Sequence, residues 1–213
     1  MISITDKQLN ICSRDILIAE NPKELPYITF SVNNSLFDRT HPSGFKDEYG
    51  VKYNSLAHYI AYQKAVALKL SGEACAEMRS FYNNKYPITR ETDSLPYEER
   101  FNEHFFDEVQ RVPGELRIGW KRDCVRYAVQ GIMMLADQNS EFRISLLGTG
   151  EDVLVEDSSS LLWGIGVSDD KDIPFPKRWA GDNGYGQALM AARELLKPSI
   201  KKKIFQLLNK KMF

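Results

Sequence analysis

From Lys121 to Asp137, the residues Val125, Val129, Ile132, Met133 and Ala136 return at helical spacing. Steps of three and four keep one face of a helix apolar, and such a face must be buried against other elements. A chain organised around this stripe is committed to helix packing. The Met133-Met134 pair reads as core filler within it. Other segments repeat the signal. Ser55 stands where an N-cap belongs, and Leu56 to Leu70 follows as a helix. Ser71-Gly72 breaks it, and a second helix runs to about Phe81. Leu95-Pro96 with Glu98 and Glu99 reads as a helix start, with Phe101, Phe105, Phe106 and Val109 as its buried stripe. Pro113-Gly114 reads as a turn. Asn139 and Ser140 offer an N-cap for a short helix over Phe142 to Leu147, ended by Gly148-Thr149-Gly150. Gly186 to Leu196 is a helix that Pro198 stops. Only Ile28 to Val32 and Val153 to Val155 read as strands, and a turn-rich loop with Asn33, Asn34, Pro42, Gly44 and Gly50 follows the first. The expected fold is therefore mainly α with a few short β-strands, of the α+β kind.

Domain organisation follows from the same pass. We expect one compact domain over residues 1–196, with an acidic insertion at about 84–112, and a C-terminal helix over 197–213. The acids Glu91, Asp93, Glu98, Glu99, Glu103, Asp107 and Glu108 read as a solvated helix face. In the tail, Ile200, Ile204, Phe205, Leu207, Leu208 and Met212 form one stripe. Lys201, Lys202, Lys203, Lys210 and Lys211 form the other, read as the wet face of a docked helix.

Composition excludes several classes. Lys+Arg 28 against Asp+Glu 29 leaves a net charge of -1, so no global basic field holds nucleic acid non-specifically. The longest apolar runs are far too short for a membrane span. Met1 to Asn10 lacks a basic segment followed by an apolar one, so no secretory signal is expected. Cys12, Cys75 and Cys124 are scattered, and a reducing, cytoplasmic setting is the natural expectation. His41, His58 and His104 lie on separate segments without HExxH spacing, so neither metal nor cofactor is expected.

Three blocks in order resemble the NADAR (YbiA-like) family of N-glycosidases, which act on ribosides and ADP-ribose adducts. The first is Tyr53 to Ala65, YNSLAHYIAYQKA. The second joins Trp120 and its helix to Leu147-Gly148-Thr149-Gly150 and Leu154-Val155-Glu156. The third runs from Trp163-Gly164-Ile165-Gly166 through Gly181-Asp182-Asn183-Gly184-Tyr185-Gly186 to Leu189-Met190-Ala191-Ala192-Arg193. The blocks cover about residues 28–196. The chain departs from the family pattern at three points: a glutamate falls at Ala57, a glutamine at Ala61, and an aspartate near Ser160, where Glu156 to Trp163 is one residue short.

The resemblance implies a chemistry. Breaking an N-glycosidic bond develops positive charge at the anomeric carbon and then needs a nucleophile. A desolvated lysine supplies one, attacking that carbon and holding the opened sugar as a Schiff base. Lys64 is the matching position, and the resemblance implies Trp120 and Glu156 as further catalytic residues. It implies His58, Trp163, Gly164, Gly166, Asn183, Gly184, Gly186 and Arg193 as ligand-binding. Ala57, Ile60, Ala61 and Lys64 share one helix face, where the two alanines either leave room for a ligand or pack tightly. Trp120 and Trp163 either flank a base or sugar or fill the core. The N–H groups after Asn183 either receive a phosphate or serve a chain reversal. Arg193 binds phosphate or forms a structural ion pair, and Glu156 orients a ribose hydroxyl or pairs with an arginine. Asp47, Glu48 and Asp157 are candidates to replace the missing acids. Three readings follow: a hydrolase of ADP-ribose adducts, a weakened protein that sequesters a nucleotide or ADP-ribose-type ligand, and an interaction module. The expected partners are such small molecules, or ADP-ribosylated nucleic acid as substrate, and no membrane.

Overall fold

A computed structural model describes residues 27–30, 35–84, 105–166, 173 and 175–197. In chain order the elements are β1 (Tyr27–Phe30), β2 (Phe45–Lys46), β3 (Lys52–Tyr53), α1 (Leu56–Ala67), α2 (Gly72–Asn84), α3 (Phe106–Arg111), α4 (Gly114–Gln138), α5 (Ser140–Gly148), β4 (Val153–Glu156) and α6 (Gly184–Leu196). A single 3-10 turn spans Pro176–Arg178. The protein is mainly helical with a few short strands, as its hydrophobic spacing implies. It divides into two compact units, residues 39–138 and residues 1–38 with 139–213.

The 39–138 unit is built on α1, which packs against both α4 and α2. Ser55 starts α1 as an N-cap, its Oγ accepting the His58 N–H at 3.2 Å. The helix closes at Ala67 when Lys69 turns left-handed (φ 54°) and the Leu70 N–H donates to the Ala65 carbonyl at 3.1 Å. Leu56 and Tyr59 face α4 at Gly131, where an added Cβ would lie 2.7 Å from the Tyr59 ring. The glycine is thus what lets the two helices approach. Ser71 then caps α2, accepting the Ala74 N–H at 3.1 Å.

Three expectations are corrected in this unit. Helix α4 begins at Gly114, not Lys121: Leu116 and Arg117 donate to the Pro113 carbonyl at 3.0 and 3.3 Å. Pro113-Gly114 is a helix start because the fixed φ of proline suits a first turn. Arg117 strengthens the junction by donating to the α3 end carbonyls of Val109, Gln110 and Val112. The loop before α1 contains the antiparallel pair β2–β3, with Phe45 opposite Tyr53. Asp47 closes this hairpin, its Oδ1 accepting the Tyr49 and Val51 amides, each at 2.9 Å. Finally, Glu108 is not merely solvated, because it accepts both the N–H and the hydroxyl of Ser71 at 3.0 Å. The expected helix start at Leu95-Pro96, Phe101 and most of the acidic insertion lie outside the described residues.

In the other unit β1 and β4 pair in parallel, Tyr27 opposite Val153 and Phe30 opposite Glu156. Helix α6 lies on β4 and contacts α5. Leu154, Val155, Trp163, Ile165, Tyr185 and Leu189 are buried in it. Helix α5 starts from Asn139, whose side chain accepts the Phe142 N–H at 3.0 Å. Beyond Lys197, the lysine-rich tail lies outside the described residues. Among the described residues, no helix is long and apolar enough to cross a membrane.

Candidate functional site

Lys64 is not a surface lysine: it is 8 % exposed. It sits on α1, which is buried around most of its circumference, with Leu56 and Tyr59 toward α4 and Tyr62 hydrogen-bonded to Arg79 of α2 at 2.7 Å. Ala57 and Ala61 on the Lys64 face are also buried, Ala57 at 3 % exposure. Holding a long cationic side chain inside a protein is costly unless it is paired or used. His58 follows the cap and is fully buried, its Nδ1 accepting the Asn54 N–H at 3.2 Å and its ring edge-on to Tyr53. Burial holds its pKa down at about 4, opposed by the backbone carbonyls of Met78 and Arg79. His58 is therefore neutral at pH 7.

That shift has a stability consequence. An unfolded histidine titrates near 6.5, so between about 6.5 and 4 the unfolded chain binds more protons than the folded one. Stability falls as pH drops through that window and levels off below it. The loss is on the order of 2–3 kcal/mol. Urea midpoints at pH 7 and pH 4.5 should differ strongly in the wild type and less in His58→Asn. Equal pH slopes in the two proteins would show that another group is responsible.

Trp120 is buried in α4 and stacked on Tyr127, with centroids 5.8 Å apart and planes at 18°. Its Nε1–H is buried and has no hydrogen-bond partner among the described residues. Both rings border an open groove of about 460 Å³, lined also by Ala67 of α1 and by Glu115, Ile118 and Gly119 of α4. Asp47 is committed to the hairpin, since its Oδ2 accepts the Tyr53 hydroxyl at 3.0 Å. Glu48 is exposed and Asp157 half-buried.

In the other unit, two loops interlock around Glu156. Its side chain is 3 % exposed, at the end of β4. Its N–H donates to Asn183 Oδ1 at 3.0 Å, and Asn183 Nδ2 donates to the Leu154 carbonyl at 2.9 Å. Asn183 holds a left-handed conformation (φ 52°), which asparagine tolerates better than most residues. The Asn183, Gly184 and Tyr185 amides donate to the carbonyls of Gly164, Leu162 and Trp163 at 2.8, 3.0 and 3.0 Å. These three N–H groups at the start of α6 thus donate to loop carbonyls and serve the chain reversal.

The glycines serve the same interlock. A Cβ on Gly164 would collide with the Ser158 hydroxyl and lie 2.7 Å from the Ser158 carbonyl. One on Gly166 (φ 67°) would lie 2.7 Å from the Gly181 nitrogen, and one on Gly186 would strike the Leu154 carbonyl. The close approach is to the chain's own backbone. Trp163, 2 % exposed, is packed in this unit, with its N–H donating to Ser160 Oγ at 3.0 Å. Arg193 is buried and donates to Thr149 Oγ1 at 2.7 Å and the Asp152 carbonyl at 2.9 Å, clamping the turn before β4. Asn183→Ala should destabilise the protein by about 2–5 kcal/mol, because it leaves a buried amide and carbonyl unpaired. Asn183→Gly removes the left-handed strain but not that loss, so it should recover only part. Denaturant unfolding reads both, and an Ala variant within about 0.5 kcal/mol of wild type would refute the bridge.

Lys64, His58 and Trp120 thus belong to the 39–138 unit, and the remaining site residues to the other. Among the described residues, no group of three or more His, Cys, Asp or Glu could hold a metal ion. The model of the NADAR domain family matches residues 20–197. The chain belongs to the NADAR domain family. The match covers both units, so the interlocked loops and the Lys64 helix are parts of one NADAR domain. Among solved structures, the NMR structure of the E. coli protein YbiA is similar in fold. It has a TM-score of 0.56 and 21% identity over 84% of this chain and 89% of that one. No curated protein matches the sequence. Sequence reasoning about this NADAR domain missed Ser158, whose hydroxyl donates to Glu156 Oε1 at 3.0 Å. Nothing in the Ser158-Ser159-Ser160 run distinguishes one serine from the next.

Proposed function

We propose that the chain is an N-glycosidase of the NADAR type. Its substrate is an ADP-ribose adduct, ADP-ribosyl-guanine in a nucleotide or nucleic acid, or a related riboside. Family membership supports this reading, and the burial of Lys64 at the family's lysine position carries it. The Lys64 amine attacks the anomeric carbon. The carbon–nitrogen bond to the base breaks, and the base leaves with the electron pair and takes up a proton. Opening of the sugar ring gives an iminium on Lys64, which water hydrolyses to free the sugar. The family resemblance implies a catalytic role for Glu156, a buried carboxylate, and a carboxylate can answer the positive charge that develops at a sugar, a charge absent from the ground state.

A second reading is a weakened protein that keeps the ligand and does not cleave it. It is favoured by Ala57, whose position carries no carboxylate and is 3 % exposed, and by Ser160, whose hydroxyl is engaged with Trp163. Incubation with ADP-ribosylated guanosine nucleotides and with NAD, followed by mass spectrometry, separates the two. ADP-ribose released together with the guanosine nucleotide, or with nicotinamide from NAD, supports the glycosidase. Intact ligand retained on the protein supports sequestration, and neither result excludes both.

A further inference from the structure

We propose that Ser158 is a positioning residue for the Glu156 carboxylate, an assignment whose catalytic part rests on the glycosidase reading above. Glu156 is held through its backbone on both sides. Its N–H donates to Asn183 Oδ1, and its carbonyl accepts the N–H groups of Ser158 and Ile165 at 3.0 and 3.1 Å. The backbone is thereby fixed, and the Ser158 hydroxyl acts on the side chain itself, donating to Oε1 at 3.0 Å. It is a neutral donor to an acceptor on a 3 % exposed side chain, where such a bond is worth more than at a surface.

The serine is itself held. Its carbonyl accepts the Gly166 N–H at 3.0 Å, and its Oγ lies where a Cβ on residue 164 would be. Gly164 and Gly166 therefore reach Glu156 through Ser158, and Asn183 reaches it directly. Residues that the family resemblance implies as ligand-binding form, in this chain, the frame that aims one carboxylate. Such a frame matters in a glycosidase because a misplacement of about 1 Å at a reacting group costs on the order of a hundredfold in rate.

The test has an arm that needs no activity. Crystal structures of the wild-type chain and Ser158→Ala should show the Glu156 carboxylate displaced by more than about 1 Å in the variant. An unmoved carboxylate overturns the proposal whatever the kinetics. With ADP-ribosylated guanosine as substrate, Ser158→Ala should lower kcat on the order of a hundredfold with KM within about twofold. Ser158→Thr, which keeps the hydroxyl, should recover most of that loss, which a purely structural role would not explain. In a Glu156→Gln background, Ser158→Ala should cost nothing further, and full additivity overturns the proposal. A wild-type chain without turnover but with the carboxylate displaced in Ser158→Ala upholds the positioning and removes the glycosidase reading.

Discussion

Lys64→Met is expected to slow cleavage of ADP-ribosylated guanosine by on the order of a thousandfold or more, because it removes the nucleophile itself. Methionine keeps most of the aliphatic stem, so the buried volume on α1 is filled and folding is preserved. Lys64→Ala should lose as much rate and some stability besides, since it opens a cavity beside Ala57 and Ala61. Lys64→Arg keeps the charge but presents no free amine, and it should also be inactive. Borohydride added during turnover should reduce the iminium and leave the sugar on Lys64, seen as a mass increment on its peptide. Full activity in Lys64→Met, or a sugar trapped on a different lysine, would exclude the mechanism. Circular dichroism and an unfolding midpoint near wild type for Lys64→Met are needed to show that the loss is chemical.

Elements fixed by local contacts were legible in the sequence. Ser55, Asn139 and the α4 stripe could be read directly because a cap bonds within three residues and a helical face repeats within four. The β2–β3 hairpin was not, since two-residue strands are too short to show alternation. The start of α4 was missed because Pro-Gly serves a turn and a first helical turn equally well. At the site, the motif singled out Lys64, but no local signal showed that it is buried. The role of the glycines around Asn183 was the hardest to read. The Gly181-Asp182-Asn183-Gly184 segment before a helix has the composition of an anion cradle, and only its long-range acceptors reveal otherwise. Those acceptors are the carbonyls of Leu162, Trp163 and Gly164, on a separate loop. Ser158 was illegible for the same reason, because its meaning depends on what residue 164 lacks.

The interlock of these loops makes Gly181 hard to replace. Its N–H donates to the Ile165 carbonyl at 2.7 Å. An added Cβ would collide with the Gly164 carbonyl and lie 2.8 Å from the Ser160 oxygen and 2.9 Å from the Gly166 nitrogen. All three atoms are backbone, so no side chain can rotate away. Relief requires moving a loop that also carries the acceptors for the start of α6. Gly181→Ala should therefore cost about 3 kcal/mol or more, at the upper end of overpacking effects. Gly119→Ala is the matched control: it lies inside α4 with no atom of the described residues near its would-be Cβ, and alanine should stabilise that helix by about 0.5–1 kcal/mol. Chemical denaturation of the two variants should move their midpoints in opposite directions. The Gly181 variant should also lose turnover out of proportion to any change at Lys64, because parting the loops releases Ser158 and Asn183 from Glu156. A stable Gly181→Ala protein with wild-type midpoint would mean that the loops yield easily, and the rigid frame around Glu156 would have to be abandoned.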